Sequence, residues 1–225
     1  MTVEEAITGR QSIRAFLSKP VPRALIEQIL TIASRAPSGT NAQPWRVWVL
    51  EGEAKEQLSH DLYERFMRDE PAHYDYFYYL REWREPYLAR RRKTGWGLYG
   101  LLGIAKGDRA ASKAQHARNF LFFDAPVGLF FTIDRDLGLG AWLDYGMFLQ
   151  SIMIVARAFG LDTCPQAAFC QYHQVIEKRL GIPPDQILVC GMALGYADPE
   201  AKVNQFRTDR EPVSSFTTFI DRLSD

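Results

Sequence analysis

The sequence predicts a layered fold of helices and strands, of the α/β or α+β class, from two observations. Short apolar segments typical of strands alternate with amphipathic helical segments along the chain. The predicted strands are few and far apart, so the sheet should be small and well covered by helices. A Rossmann fold is disfavoured, because the glycine run at 97–103 has the wrong spacing for a dinucleotide-binding turn and follows no predicted strand.

Helix, helix, strand and helix follow one another in the first third of the chain. A short helix over 3–9 leads towards a second helix over 22–36, which has proline at its first turn, apolar residues at helical spacing and another proline after its end. The run Val-Trp-Val-Leu at 47–50 is typical of a central strand, and helical spacing returns from 53 to about 69.

Four further elements and an apolar tail are predicted in the second half. A strand over 126–133 precedes a helix over 141–159, whose residues are apolar nearly all round. We therefore expect that helix to be buried against more than one layer. A short amphipathic helix over 172–180 and a core strand over 187–194 follow. The apolar run at 216–220 is expected to dock on the fold.

The segment from 70 to about 107 differs from the rest of the chain in its density of aromatic residues and arginine. We interpret it as a helical excursion followed by a loop punctuated by Gly95, Gly97, Gly100 and Gly103. It is expected either to form a helical hairpin at a subunit interface or to be a lid over a substrate pocket. Acidic residues are interleaved with the basic ones, so the segment is not a uniform basic face for nucleic acid.

Length and composition indicate one domain spanning residues 1–225. The chain is long enough to bury a core, and its formal net charge of zero removes the global electrostatic argument for nucleic acid or a membrane surface as a partner. The acidic start does not resemble a signal peptide, and the apolar run at 120–133 is too short to span a bilayer. Three cysteines without the spacing of a zinc site favour a reduced, cytoplasmic setting and no bound metal.

Two clusters in the first 45 residues point to a phosphorylated heterocycle. Arg10, Ser12 and Arg14 offer two guanidinium groups and a hydroxyl, which suit a dianionic phosphate. One helix further on, Asn41 and Gln43 can each donate and accept hydrogen bonds, as the polar edge of a uracil-like ring requires. A phosphate at one end and a polar-edged ring at the other describe flavin mononucleotide (FMN).

Two later segments complete this constellation. Small residues flank Pro165 in the run 160–168, which permits close backbone approach to a flat ligand and allows a backbone N–H to donate to the flavin N5. The segment 202–212 adds Arg207 and Arg210 as further cations for the phosphate.

Together these residues resemble the FMN-dependent nitroreductase family over nearly the whole chain. The resemblance rests on Arg-x-Ser-x-Arg at 10–14, Pro-Ser-x-x-Asn-x-Gln-Pro-Trp at 37–45, Gly-Leu-x-x-Cys-Pro at 160–165, and Gly-x-Ala-Leu-Gly-Tyr at 191–196 with the arginine tail after it. It implies an α+β, three-layer fold with a small mixed central sheet covered by helices. It also implies an intertwined homodimer that binds two FMN molecules at the subunit interface.

The resemblance implies roles for individual residues. Phosphate and ribityl binding would fall to Arg10, Gln11, Ser12, Arg14 and Arg210, with Arg207 as a weaker candidate. The neighbouring subunit would offer, in part, Pro37, Ser38, Asn41 and Gln43. The N5 side of the ring would be lined by Pro165, Gln166, Ala167 and Ala168, where many family members have Glu-Gly in place of Gln166-Ala167. No side chain is assigned as catalytic, because the chemistry takes place on FMN.

The implied activity is a ping-pong reaction. NAD(P)H delivers hydride to FMN, and an electron-poor aromatic acceptor, such as a nitroarene or quinone, then takes two electrons. Two alternatives stay open. Reductive dehalogenation of an iodotyrosine-like aromatic would need a lid glutamate, tyrosine and lysine, for which Glu82, Glu85, Tyr87 and Lys93 are available. A non-catalytic FMN-binding or sensing protein is the other alternative.

Overall fold

Four strands form the central sheet of the computed structural model, which describes residues 1–222. They are β1 (Arg46–Glu51), β2 (Val127–Asp134), β3 (Asp162–Gln166) and β4 (Gln186–Gly195), and they lie in the order β1-β2-β4-β3. The strands predicted at 47–50, 126–133 and 187–194 are confirmed. The sequence does not predict β3, because Asp-Thr-Cys-Pro-Gln lacks an apolar alternation; its proline is tolerated at the edge of the sheet.

The named strands pair antiparallel throughout, which differs from the mixed sheet that the resemblance implies. The parallel component is reduced to isolated bridges, one of which joins Ser12 to Thr163 beside β3. At this bridge the Ile13 N–H donates to the Thr163 carbonyl at 3.1 Å. The bridge therefore fixes the N-terminal arginine cluster next to β3.

Seven α-helices accompany the sheet within residues 1–222. They are α1 (Val3–Gly9), α2 (Arg23–Ala33), α3 (Gly52–Met67), α4 (Tyr87–Leu101), α5 (Arg109–Ala117), α6 (Leu139–Ala158) and α7 (His173–Leu180). The predicted helices that correspond to α1, α2, α3, α6 and α7 are confirmed within a few residues. α1 begins with a capping box, in which Thr2 and Glu5 each accept a hydrogen bond from the other's backbone N–H.

The sheet lies between two hydrophobic layers, so the three-layer α+β prediction is confirmed. Successive residues of β2 point to opposite faces. Phe130 belongs to the core cluster that includes Leu62 of α3 and Ile176 of α7. Leu129 and Phe131 belong to the cluster formed with α2 and α6. This alternation is what a strand covered on both faces requires.

Two glycines of the sheet make room for phenylalanine rings on the α3 side. A Cβ at Gly128 would lie 2.6 Å from the Phe122 ring, and a Cβ at Gly191 would lie 2.4 Å from the Phe169 ring. The two rings contact each other, with centroids 4.5 Å apart. The apolar run at 120–133 is thus a strand with its lead-in, as predicted.

Helix α6 is less buried than its composition predicts. Tyr145, Phe148 and Ile152 are buried against the sheet, but Leu139 and Leu143 are 88% and 70% exposed. The expectation of burial against more than one layer was wrong for this chain, because the described residues leave the outer side of α6 uncovered. By length and composition α6 could cross a membrane, with a mean hydropathy of 1.3. Its buried face is nevertheless part of the core, as in a soluble protein.

The segment 70–107 folds in the reverse of the predicted order. Residues 70–86 form turns and irregular structure, and α4 follows, so three of the glycines expected in a loop lie within a helix. Gly97 is required within α4, because a Cβ at this position would lie 2.6 Å from the Phe206 ring. The sequence also gives no prediction of α5.

The C-terminal apolar run does not dock on its own chain. Phe216, Phe219 and Ile220 are 70%, 88% and 70% exposed, so the expected docking of 216–220 was wrong for a single copy. Large apolar side chains exposed together are typical of a surface that another molecule covers.

Candidate functional site

The N-terminal arginine cluster and the late arginine segment line one cavity of about 400 Å³, which we name the arginine cavity. Its wall consists of Ile7, Thr8, Arg10, Gln11, Ser12, Arg14, Phe206, Arg207, Thr208 and Arg210. The structure thus brings together all of the residues predicted for phosphate and ribityl binding.

The arginine cavity is positively charged, and no acidic side chain of residues 1–222 lines it. Burial lowers the pKa of Arg10, and the charge of nearby Arg210 lowers this pKa further. The Arg210 guanidinium donates to the Asp209 carbonyl at 2.7 Å and to the Thr208 hydroxyl at 2.8 Å, neither of which is an anion. Cations that repel each other in this way are suited to bind an anion such as phosphate.

Asn204 joins the two chain segments of the arginine cavity, and sequence reasoning missed it. Its side-chain carbonyl accepts from the Arg14 backbone N–H at 2.8 Å, and its side-chain amide donates to the Ala15 carbonyl at 2.8 Å. Its backbone carbonyl accepts from the Gln11 side chain at 3.0 Å. The signal available in the sequence was its place in the 202–212 segment, where the arginines alone were singled out.

Helix α4 is fastened to the same late segment by ion pairs. Arg90 Nε lies 3.1 Å from Glu211 Oε1, and Lys93 pairs with Asp209. The two carboxylates beside Arg210 are therefore engaged with α4 and are absent from the wall of the arginine cavity. This arrangement keeps the positive charge of that cavity uncompensated.

A larger cavity of about 700 Å³, which we name the aromatic cavity, meets the first at Arg14. The irregular segment and α4 supply its aromatic wall, formed by Tyr74, Tyr76, Phe77, Tyr78, Tyr79, Leu80, Arg81, Leu98 and Tyr99. The predicted ring-binding residues Pro165, Gln166, Ala167 and Ala168 also line it. Because Arg14 contributes to both cavities, one elongated ligand can occupy them together.

Two glutamines leave buried acceptors without a donor. Gln166 donates from its side chain to the Asn119 carbonyl at 2.7 Å, but its Oε1 has no hydrogen-bond partner among the described residues. The Oε1 of Gln11, which lines the arginine cavity, is also buried without a hydrogen-bond partner among the described residues. A buried acceptor without a donor is unfavourable, so both oxygens are candidates to accept hydrogen bonds from a ligand.

Cys164 lies at the junction of the cavities as a neutral thiol. Burial raises its pKa to about 11, although the charge of Arg14 acts in the opposite direction. Burial likewise raises the pKa of Cys170 to about 11. Both side chains are free and buried, and at neutral pH they act as small packing residues.

The aromatic wall is anchored to the α7 side of the fold. Asp75 accepts from Arg135 at 2.8 Å and lies 3.4 Å from His173 Nδ1. His173 also lies 3.0 Å from Glu177 Oε1, so the imidazole is placed between two carboxylates. The Tyr76 hydroxyl donates to a backbone carbonyl of β4. These contacts hold the irregular segment in place, and no pattern in the sequence indicates them.

The residues predicted for the ring edge lie elsewhere on this chain. Neither cavity is lined by Pro37, Ser38, Asn41 or Gln43. These residues belong to a turn at 37–43 that is held against α6, where the Gly39 N–H donates to Asp144 Oδ2 at 3.0 Å. Asn41 and Gln43 have φ angles of 60° and 49°, a left-handed conformation that non-glycine residues adopt at a cost. Within one copy, these side chains cannot contact a ligand in either cavity.

The joined cationic and aromatic cavities agree with the outcome of comparisons with known proteins. The family model described as "Nitroreductase family" matches residues 7–196. The chain belongs to the nitroreductase family. The resemblance drawn from the motifs is thereby confirmed.

Individual nitroreductases match nearly the whole chain. A 4-nitrobenzoate reductase from Pseudomonas putida is 42% identical over 217 residues, which cover 96% of this chain and 95% of the relative. A chloronitrobenzene nitroreductase from Comamonas testosteroni is 39% identical over 219 residues, which cover 97% and 96%. The crystal structure of the FMN and NADPH-dependent nitroreductase NfnB from Sphigopyxis sp. strain HMH matches with a TM-score of 0.94 at 38% identity, covering 99% of this chain and 100% of that chain.

Proposed function

We propose that this chain is an FMN-dependent nitroreductase that uses NADPH to reduce nitroaromatic compounds. The observation that carries the proposal is the meeting of a cationic cavity and an aromatic cavity at Arg14. Relatives at 42% and 39% identity are named as reductases of nitroarenes, and a structural relative at 38% identity is named as FMN and NADPH-dependent. The chain is therefore an oxidoreductase of the nitroreductase type, and its cofactor is FMN.

FMN fits the residues that line the two cavities. We assign phosphate and ribityl to Arg10, Gln11, Ser12, Arg14, Arg207 and Arg210, and the ring to the 165–168 run. A phosphate dianion would relieve the repulsion between Arg10 and Arg210. Hydroxyl or ring N–H donors would satisfy the buried Oε1 atoms of Gln11 and Gln166.

The protein contributes binding, orientation and charge. When bound, FMN supplies the redox chemistry by taking hydride from NADPH and giving two electrons to the acceptor. Arg14 places a permanent positive charge where the two cavities meet. The aromatic wall offers flat apolar faces to the donor and the acceptor. Donor and acceptor share this space in turn, which accounts for ping-pong turnover with nitroarenes or quinones.

The proposal includes an intertwined homodimer in the cytoplasm, in which residues 1–225 form one domain. Its support is the uncovered outer side of α6 together with the exposed tail at 216–220. The 37–43 turn is attached to α6 through Asp144, so a second copy seated on α6 would receive that turn. Pro37, Ser38, Asn41 and Gln43 would then reach the partner's flavin, which accounts for their absence from the cavities of their own chain.

The segment 70–107 is proposed to act as the lid of the aromatic cavity, because its side chains form one wall. The dehalogenase alternative has less support. Neither cavity is lined by Glu82, Glu85, Tyr87 or Lys93. Glu85 accepts from the Ala89 N–H at 3.1 Å, and Lys93 pairs with Asp209, so both charges are engaged elsewhere. A sensing role is disfavoured by relatives named as reductases.

Anaerobic absorbance spectra test the proposed function. We expect visible flavin absorption that bleaches with NADPH and recovers when a nitroarene is added. Light scattering should give twice the chain mass of 25.8 kDa. A colourless protein that takes up no FMN would contradict the cofactor. Bleaching without recovery by a nitroarene or a quinone would contradict the acceptor class and favour the sensing alternative.

A further inference from the structure

The aromatic cavity contains a second cation besides Arg14. Arg81 lines it, and its guanidinium carbon lies 4.0 Å from the centre of the Phe77 ring. No aspartate or glutamate of residues 1–222 lines this cavity. Stacking on Phe77 restricts the guanidinium without neutralising it, so its planar donor edge stays available to a ligand.

Arg81 is distinguished from its neighbours in the same segment. Three nearby arginines do not line the cavity: Arg84 and Arg91 lie over the rings of Tyr87 and Trp83 outside it, and Arg90 pairs with Glu211 at 3.1 Å. Asp75, which lies between two residues of the aromatic wall, is held by Arg135 at 2.8 Å, and Glu82, which follows Arg81 in the sequence, does not line the cavity. The positive charge at Arg81 therefore faces a cavity in which the ionised side chains of the described residues are arginines alone.

We propose that Arg81 binds a carboxylate on the acceptor, so that the enzyme prefers nitroaromatic acids to neutral nitroarenes. This inference rests on the proposed function and adds the class of acceptor to it. A guanidinium binds a carboxylate through two parallel hydrogen bonds, while the tyrosine rings around it contact the flat face of the substrate. The hydroxyls of Tyr78 and Tyr79 line the same cavity and, as phenols at neutral pH, can donate to the same carboxylate.

The phosphates of NADPH present the same chemistry, an anionic oxygen group. The surroundings of Arg81 favour the acceptor's carboxylate over the phosphates of NADPH as its ligand, because a single guanidinium among aromatic rings matches a monoanionic benzoate. Multiply charged phosphates are matched by several cations together, as in the arginine cavity. The two half-reactions distinguish these anions, because a lost contact with NADPH slows reduction of the flavin, whereas a lost contact with the acceptor slows its reoxidation.

The test compares 4-nitrobenzoate with methyl 4-nitrobenzoate, which keeps the ring and the nitro group but has no charge. Each is used to reoxidise the NADPH-reduced holoenzyme. In Arg81→Gln we expect kcat/KM for 4-nitrobenzoate to fall about tenfold, the effect of 1.4 kcal/mol, and kcat/KM for the ester to change by less than about twofold. Arg81→Lys should recover part of the loss, and Arg84→Gln, the matched control outside the cavity, should behave as wild type.

A binding measurement makes the result independent of turnover. Benzoate added to the oxidised holoenzyme should perturb the flavin spectrum, with a dissociation constant about tenfold higher in Arg81→Gln than in wild type. Equal losses with acid and ester, or unchanged benzoate binding, would overturn the proposal. Slower flavin reduction by NADPH with unchanged reoxidation would also overturn it, in favour of a dinucleotide contact. If no nitroarene reoxidises wild type, the proposed function fails, and benzoate binding still decides the role of Arg81.

Discussion

Replacing Arg10 with glutamine should raise the stability of the apoprotein and lower its affinity for FMN. Burial and the charge of Arg210 both lower the pKa of Arg10, which means that its positive charge is unfavourable before an anion binds. Removing the charge relieves this repulsion. Because the side chain is partly exposed, we expect the gain to be about 0.5–1 kcal/mol. For a chain of 225 residues, that is a rise of roughly 1–4 °C in the apoprotein Tm.

The effect on the free energy of FMN binding is larger than the effect on stability and is unfavourable. Glutamine at position 10 loses one charge-assisted hydrogen bond to the phosphate, which contributes about 1.5–3 kcal/mol. The dissociation constant of FMN should therefore rise roughly ten- to 150-fold. Arg14, Arg207 and Arg210 remain in the cavity, so weakened rather than abolished binding is expected.

Two measurements on flavin-free protein decide the matter. Thermal unfolding gives the apoprotein Tm, and titration with FMN gives the dissociation constant from the quenching of flavin fluorescence. Arg23→Gln is the control, because Arg23 pairs with Glu51 on the surface and lines neither cavity. An unchanged FMN affinity in Arg10→Gln would refute the phosphate assignment. A lower apoprotein Tm would refute the reasoning from charge repulsion.

Three further predictions concern protonation, packing and reactivity. Burial lowers the pKa of His116 from 6.5, so the contribution of the neutral imidazole to stability should be complete above that pH and decline as the pH falls below it. His116→Gln should therefore flatten the acidic limb of a plot of Tm against pH, and an unchanged limb would argue against this cause. Gly191→Ala places a methyl group 2.4 Å from the Phe169 ring and should lower the Tm by roughly 4–8 °C, about 2 kcal/mol, whereas Gly100→Ala in open space should raise it slightly. Because burial raises the pKa of Cys164 to about 11, its thiol should resist alkylation at pH 8 until the protein is denatured; rapid modification of the native protein would contradict this.

The fold could be predicted from the sequence wherever local pattern and burial agree. Helix α2 and the strands β2 and β4 have clear periodicity or continuous apolar runs, and the structure confirms them. The failures occur where a distant residue overrides local preference. Glycines predicted a loop in α4, but Gly97 is there to admit the Phe206 ring, which a local reading of the sequence does not show. The apolar composition of α6 predicted burial against more than one layer, yet one chain covers a single face of it.

Most of the candidate site could be predicted as well, because its residue types are chemically distinctive. The arginines at 10–14 and 207–210, and the run at 165–168, are assembled around two adjoining cavities as the motifs indicate. Asn204 could not be predicted, because its role is to hold two backbone segments together and many polar residues can do so. The 37–43 turn is attached to α6 and lines neither cavity, and the proposed contact with a partner's flavin would depend on a second copy that no local pattern encodes.

The electrostatics of the site arise from the placement of acids rather than from composition. The chain has 27 basic and 27 acidic residues and no formal net charge, yet the acidic residues among 1–222 are absent from both cavity walls. Three acids close in sequence to the walls are engaged by other cations: Asp209 by Lys93, Glu211 by Arg90, and Asp75 by Arg135. Each of these pairs also fixes the 70–107 segment or the late arginine segment, so the contacts that shape the cavities also leave them positive. A chain without formal net charge thereby has two adjoining cavities whose ionised wall residues are arginines, which suits anionic ligands.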